Sequence, residues 1–269
     1  MENYICVTCG VQYTETDVPP EHCLICEDER QYIGHKGQRW TTLTEMQKSY
    51  HNRIEDIDTN ITGIGTEPGF AIGPRALLVQ TPNGNVLWDC VSLLDQATRE
   101  AIHSRGGIAA IAVSHAHLVG SLVDWSRAFD NAPIYWHAAN REWVMRPDPA
   151  YTFWEGETYQ IMDGLTLIRC GGHFPGSDVL HWSAGAEGRG ALLAADTIMV
   201  VQDRRYVSFM YSYPNLIPLN APTVERILEA VEPFDFDRLY GGWWDLIVAS
   251  GAKAAVKRSA ERYRKAISP

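Results

Sequence analysis

Four cysteines crowd the first 26 residues, and they constrain the chain more than any other feature. Cys6, Cys9, Cys23 and Cys26 read C-x2-C, thirteen residues, then C-x2-C. Two-residue spacing lets each pair wrap one ion, and two such pairs complete a tetrahedral four-thiolate site. Gly10 follows Cys9, where a tight knuckle calls for a positive φ. The segment is too short for an apolar core of its own, so metal would supply most of its folding energy. Two disulfides and a redox C-x-x-C pair are the alternatives. A reducing compartment weighs against the first, and the lack of a surrounding βαβ pattern against the second.

The segment resembles a rubredoxin-type or zinc-ribbon knuckle. Zinc is the default occupant; iron would make it an electron carrier, and the donor set accepts either. His22, beside Cys23, reads as a surface residue. Cys90 and Cys170 each end an apolar run and read as buried structural thiols.

The 269 residues carry 23 Lys+Arg against 33 Asp+Glu, a net charge of −10. That balance disfavours a chain built to grip nucleic acid or an anionic membrane, both of which reward a basic surface. No stretch approaches the ~20 apolar residues of a membrane span, and the first residues lack a signal-peptide pattern. A cytoplasmic protein acting on a small molecule, without nucleic-acid or membrane partners, is the expectation.

Residues 1–35 are read as the metal-knuckle unit, 36–60 as a linker passing into an irregular edge, and 61–269 as one large domain. Residues 75–80 and 86–90 predict a hairpin about Asn83-Gly84. Ser92, three residues before Asp95, predicts a helix N-cap. Ile108 to Val113 predicts a buried strand, and helices are expected over 121–129 and near 138–144. Strands are expected near 133–136, 157–162, 165–170, 178–183, 191–195 and 237–240. Pro222 opens a predicted helix, and a last one runs from about Asp245 to Ile267. Its basic C-terminal half reads as a solvated face or a partner site. Strands and helices alternating in this order suggest sheets covered by helices.

Three histidines and one aspartate stand where strands open into loops. Ser114-His115-Ala116-His117 follows the run 108–113 and can turn two imidazoles toward one ion. His173 sits in Gly171-Gly172-His173-Phe174-Pro175-Gly176. Asp196 follows Ala191-Leu-Leu-Ala-Ala195, and a carboxylate at a sheet rim needs a partner such as a metal or an arginine.

In this order the motifs resemble the metallo-β-lactamase fold family, which includes the hydroxyacylglutathione hydrolases, over roughly residues 60–245. Asp89 matches the aspartate ending the early hairpin. His115 and His117 match the first two histidines of H-x-H-x-D-H, His173 the lone histidine, and Asp196 the bridging aspartate. The resemblance implies an α/β (α+β) fold, an αββα sandwich with its metal site along one rim, here carrying the small N-terminal knuckle. Two departures stand out. Val119 and Gly120 replace the Asp-His of the first motif, and Tyr240-Gly241-Gly242-Trp243 contains no last histidine. The first metal's ligands therefore survive, while of the second's only Asp196 does. The resemblance thus implies one ion, held by His115, His117 and His173 with Asp196 as a further candidate ligand. Three protein ligands plus water is the usual catalytic zinc arrangement, able to lower the pKa of bound water to ~7 and polarise a carbonyl. Asp196 is the candidate catalytic base or orienting group, with Asp178 a weaker one. Trp243 and Trp244 stand where the last histidine is missing.

The expected function is a metal-dependent hydrolase acting on an ester, thioester or amide-like bond. The expected cofactors are one zinc at the four cysteines and one at the histidines, with iron possible at either. A non-catalytic binding protein and an iron-dependent redox protein are the alternatives. His137 and His181 read as hydrogen-bonded structural residues, and the aromatic segment 206–219 either walls the pocket or packs beneath a loop.

Overall fold

The computed structural model describes residues 1–267. The chain divides into two compact units.

The first unit comprises Met1–Trp136 and Arg141–Phe153. It begins with β1 (Tyr4–Cys6), the short helix α1 (Leu24–Glu27), β2 (Trp40–Thr42), paired antiparallel to β1, and the one-turn helix α2 (Leu43–Met46). Next come β3 (His51–Asp58), β4 (Ile61–Glu67), β5 (Arg75–Val79), β6 (Val86–Trp88) and helix α3 (Gln96–His103). β7 (Ala110–Ala112), helix α4 (Leu122–Ala128), β8 (Ile134–His137) and β9 (Tyr151–Trp154) complete it. β3 to β9 form one seven-stranded sheet in sequence order. Pairing is antiparallel from β3 to β6 and parallel through β6, β7 and β8. The fully buried, apolar β7 suits a central parallel position, where both faces are covered.

Part of the stretch read as linker is regular structure. β2 and α2 occupy residues 40–46, and β3 begins at His51. β3 is polar because it lies at the sheet edge with none of its residues fully buried, so its composition resembles a loop while its ladder to β4 is long. The expected cap also moves: Asp95, not Ser92, caps α3 by accepting from the Thr98 amide at 2.7 Å. Ser92 donates instead to the Gly10 carbonyl at 2.6 Å.

The second unit comprises His137–Asn140 and the chain from Trp154 onward. It holds β10 (Thr158–Met162), β11 (Leu165–Arg169), β12 (Asp178–Trp182), the turn-like α5 (Gly185–Gly188) and β13 (Ala191–Leu193). Four short strands follow: β14 (Met199–Val200), β15 (Val207–Ser208), β16 (Met210–Ser212) and β17 (Ile217–Pro218). Helix α6 (Ala221–Val231), β18 (Arg238–Tyr240), β19 (Ile247–Val248) and helix α7 (Ala252–Ile267) end it. Its six-stranded sheet runs β10-β11-β12-β13-β18-β19, with β13 and β18 parallel. Val224 and Ile227 of α6 and Val256 of α7 share a core with Ile168, Leu192 and Leu239 of that sheet. The last helix starts seven residues later than the expected Asp245, since β19 pairs with β18 and Gly251 turns the chain with φ +66°. Its basic residues include Arg258 and Arg262, both stacked on the Tyr206 ring. Among the described residues no helix is long and apolar enough to cross a membrane.

Candidate metal centres

The four N-terminal cysteines converge in the first unit, all buried and none in a disulfide. Sγ of Cys6 lies 3.6 Å from that of Cys26, and Sγ of Cys9 lies 3.6 Å from that of Cys23. Two thiolates on one tetrahedral zinc stand about 3.8 Å apart, so the donor set and its spacing fit one ion. Gly10 takes φ +82° and donates to the Cys6 carbonyl at 2.8 Å, as a knuckle turn requires. Cys26 and Glu27 both donate to the Cys23 carbonyl at 3.0 Å. Two donors were not anticipated: Tyr13 Oη donates to Cys23 Sγ at 3.4 Å, and Gln38 Nε2 donates to Cys6 Sγ at 3.2 Å. Each offsets thiolate charge, as outer-layer donors do around a metal. Hydrogen bonds from the other thiols pull Cys6 below its ordinary range, whereas burial pushes Cys9 well above it. Four buried thiols cannot all ionise together without a cation, and a divalent ion removes that conflict. His22 is exposed and bonded to Glu27 at 2.6 Å, outside the cluster.

His115 and His117 lie on the loop after β7, both buried, with ring centroids 5.2 Å apart. Their loop is fixed from several sides. Asp89, in the left-handed region at φ 61°, accepts from the Ser114 amide at 2.8 Å. The Cys90 amide donates to the Leu118 carbonyl at 3.0 Å, and Ser121 Oγ to the Ser92 carbonyl at 2.9 Å. Ser114 Oγ lies 2.9 Å from Nδ1 of His115, so an ion would take that ring's Nε2. Asp89, expected as a motif residue, therefore positions the histidine loop. Ser114 was not singled out, although it directly precedes His115.

Gly120 carries the departure from the two-metal pattern into the backbone. Its φ is +51°, and a Cβ there would stand 2.6 Å from both the carbonyl carbon and oxygen of Val91. No side chain fits, so the missing histidine cannot be restored by a single change. Gly120→His is expected to gain no metal equivalent and to lose roughly 3 kcal/mol of stability from overlap and positive φ. Elemental analysis and urea unfolding of the variant check this.

In the second unit, His173 and Asp196 are both buried, with Nε2 and Oδ2 3.6 Å apart. His173 Nδ1–H donates to the Met210 carbonyl at 3.2 Å, which assigns the proton to Nδ1 and turns the Nε2 lone pair toward Asp196. Two ligands on one zinc through N and O stand about 3.4 Å apart, so this pair too has the spacing of co-ligands. The aromatic segment backs the pair. Tyr213 packs beside His173 and its hydroxyl donates to the Asp196 carbonyl at 2.9 Å. Burial, with the Asp196 charge adding to it, pushes the Tyr213 phenol well above its ordinary range, so it stays neutral and a donor. Met210 acts through its backbone, which no side-chain pattern could reveal. Asp178 is buried at the start of β12. Trp243 packs against the second unit's core.

His137 and His181 are structural. His137 accepts from the Ala139 amide on Nδ1 at 3.1 Å and donates from Nε2 to the Gly156 carbonyl at 3.1 Å, so it is held neutral. His181 donates to the Asp235 carbonyl at 2.8 Å. Burial depresses both below the ordinary 6.5. A depressed histidine leaves the folded chain with fewer bound protons than the unfolded one, so this stability is present above pH 6.5 and is lost as pH falls below it. His137→Gln is expected to flatten that acid-side slope, measured by urea unfolding at several pH values. Cys90 and Cys170 are fully buried, and burial pushes both thiols above their ordinary range.

These features can be set beside known proteins. The uncharacterized protein YmaE of Bacillus subtilis (strain 168) is 52% identical over 269 residues, covering 99% of this chain and 97% of that protein. The chain belongs to the YmaE family. Its fold is that of the metallo-β-lactamases. The DIM-1 metallo-β-lactamase matches with a TM-score of 0.58 at 15% identity, covering 80% of this chain and 98% of that one. The FIM-1 metallo-β-lactamase of Pseudomonas aeruginosa, solved in a mono-zinc form, matches with a TM-score of 0.59 at 16% identity, covering 81% and 97%. No family model matches the chain. The fold expected from the order of the ligand motifs is thus the fold observed; the first unit of the YmaE-family chain carries four cysteines that could hold an ion, as well as His115 and His117, and the second carries His173 and Asp196.

Proposed function

We propose that this protein is a metal-dependent hydrolase in which His115, His117, His173 and Asp196 hold a single zinc ion, while Cys6, Cys9, Cys23 and Cys26 hold a second, structural one. The observation that carries this reading is the donor set: three imidazoles and one carboxylate, all buried, on a metallo-β-lactamase fold. When bound, zinc would supply Lewis-acid polarisation of a scissile carbonyl and lower the pKa of a bound water to ~7.

The chain's own residues do the rest. Asp89 and Ser114 set the loop and ring of His115. Met210 holds the His173 proton on Nδ1, keeping its Nε2 basic. Asp196 would help hold the ion and orient a reacting water, taking the place of the carboxylate missing at Val119. Tyr213 steadies the Asp196 backbone. Gly120, closed to any side chain, keeps the site mononuclear. The substrate class is a small molecule with an ester, thioester or amide-like bond.

The test is a panel of chromogenic esters, thioesters and lactams, assayed with purified protein before and after chelation. Turnover of one class that chelation abolishes and zinc restores is the expected result. Turnover that persists without metal, or with His115→Ala, contradicts the proposal.

A further inference from the structure

The N-terminal knuckle is built into the loop that carries His115 and His117. The Gln12 amide donates to the Gly120 carbonyl at 3.0 Å, three residues beyond His117. The Gln12 side chain, buried, donates to Asp124 Oδ2 at 2.7 Å, and Arg146 closes the triangle by donating to Asp124 Oδ1 at 2.7 Å and to Gln12 Oε1. Next to it, Gly10 accepts from Ser92, whose carbonyl in turn accepts from Ser121. Gln12 directly, and Gly10 through Ser92, thus both hold the C-terminal end of the loop, at Gly120 and Ser121.

The gripping residues depend on the cysteines. The Cys6 amide donates to the Val11 carbonyl at 3.0 Å, the Cys6 carbonyl accepts from Gly10, and Ile5 bridges to Gln12. The turn Cys6–Gln12 is therefore closed at its base by ligand residues. The knuckle has few apolar residues of its own inside: Ile5 packs with Met46, Phe70 and Leu93 of the surrounding structure. An ion at the four thiols is what fixes this turn.

We infer that the four-cysteine site is a positioning device for the histidine centre: loading the thiols with metal sets the turn Gly10–Gln12, which holds the His115–His117 loop in its ligating form. It stands in for the support that the first motif loses at Val119 and Gly120. This rests on the reading that the histidines bind an ion. Gln12 is the positioning residue through which the coupling runs.

Cobalt(II) tests it in the full chain, because thiolate ligation gives an intense near-ultraviolet charge-transfer band and nitrogen–oxygen ligation a weaker visible one. Each site is then titrated against a chelator by its own band. Stripping the cysteines with a thiol-selective mercurial is expected to weaken cobalt binding at the histidines about tenfold or more, the effect of losing an outer-layer support. Gln12→Ala, with the thiolate band intact, is expected to weaken it similarly, and it decides the matter if stripping unfolds the chain. An unchanged histidine-site midpoint in Gln12→Ala overturns the inference while leaving the hydrolase reading standing. A native chain with no nitrogen–oxygen band overturns that reading and this one together.

Discussion

His173→Ala is expected to release one of two metal equivalents and leave the other in place. His173 supplies Nε2 to the proposed ion, and the Met210 carbonyl fixes its orientation, so no neighbouring ring can take its place. His181→Ala is the matched control. It is also buried in the second unit, but its ring is spent on the Asp235 carbonyl, and both equivalents should remain. The expected activity loss for His173→Ala is complete, since water activation and carbonyl polarisation leave with the ion. Elemental analysis of the two variants beside the native chain checks this, with circular dichroism to verify folding.

Cys23→Ser is expected to produce the largest stability loss of any single change considered. Its thiol is packed against Cys9 and receives the Tyr13 hydroxyl, and its carbonyl anchors α1 through Cys26 and Glu27. Losing a structural ion belongs to the rare class of changes above ~4 kcal/mol. In a chain of this size that corresponds to a fall in Tm of roughly 10 °C or more. Cys90→Ser, equally buried but in no ligand cluster, should cost only a buried-thiol substitution and no metal. Thermal unfolding with and without added zinc separates the two, because the gain in Tm from zinc should be larger for Cys90→Ser, which keeps both donor sets, than for Cys23→Ser, which keeps only the histidine set.

The candidate donor residues are legible because metal chemistry calls for unusual residues in fixed places. Four closely spaced cysteines, two histidines one residue apart after an apolar strand, and a lone histidine among glycines have few bland explanations, and their order carried the fold. What escaped reading was work done by the backbone. Met210 holds His173 with a carbonyl, and Gly120 leaves no room for a side chain, through its φ and the closeness of the Val91 backbone to where a Cβ would stand. Ser92 looked like a helix cap because a serine precedes an acidic residue at the right spacing. The structure gives the cap to Asp95 and spends Ser92 on Gly10, a long-range contact invisible to local patterns. β3 was missed for the opposite reason: an exposed edge strand lacks the apolar alternation that marks a buried one. Nothing in either reading names the substrate, because a fold fixes chemistry far better than specificity.

The central claim is that the two donor sets hold two separate ions, one structural and one catalytic. It is tested most directly by metal stoichiometry of the native chain, measured by elemental analysis after exhaustive dialysis against metal-free buffer. The account predicts two zinc per chain, falling to one in a chain that carries alanine at His115, His117 and His173 together. One zinc per chain in both proteins would contradict it.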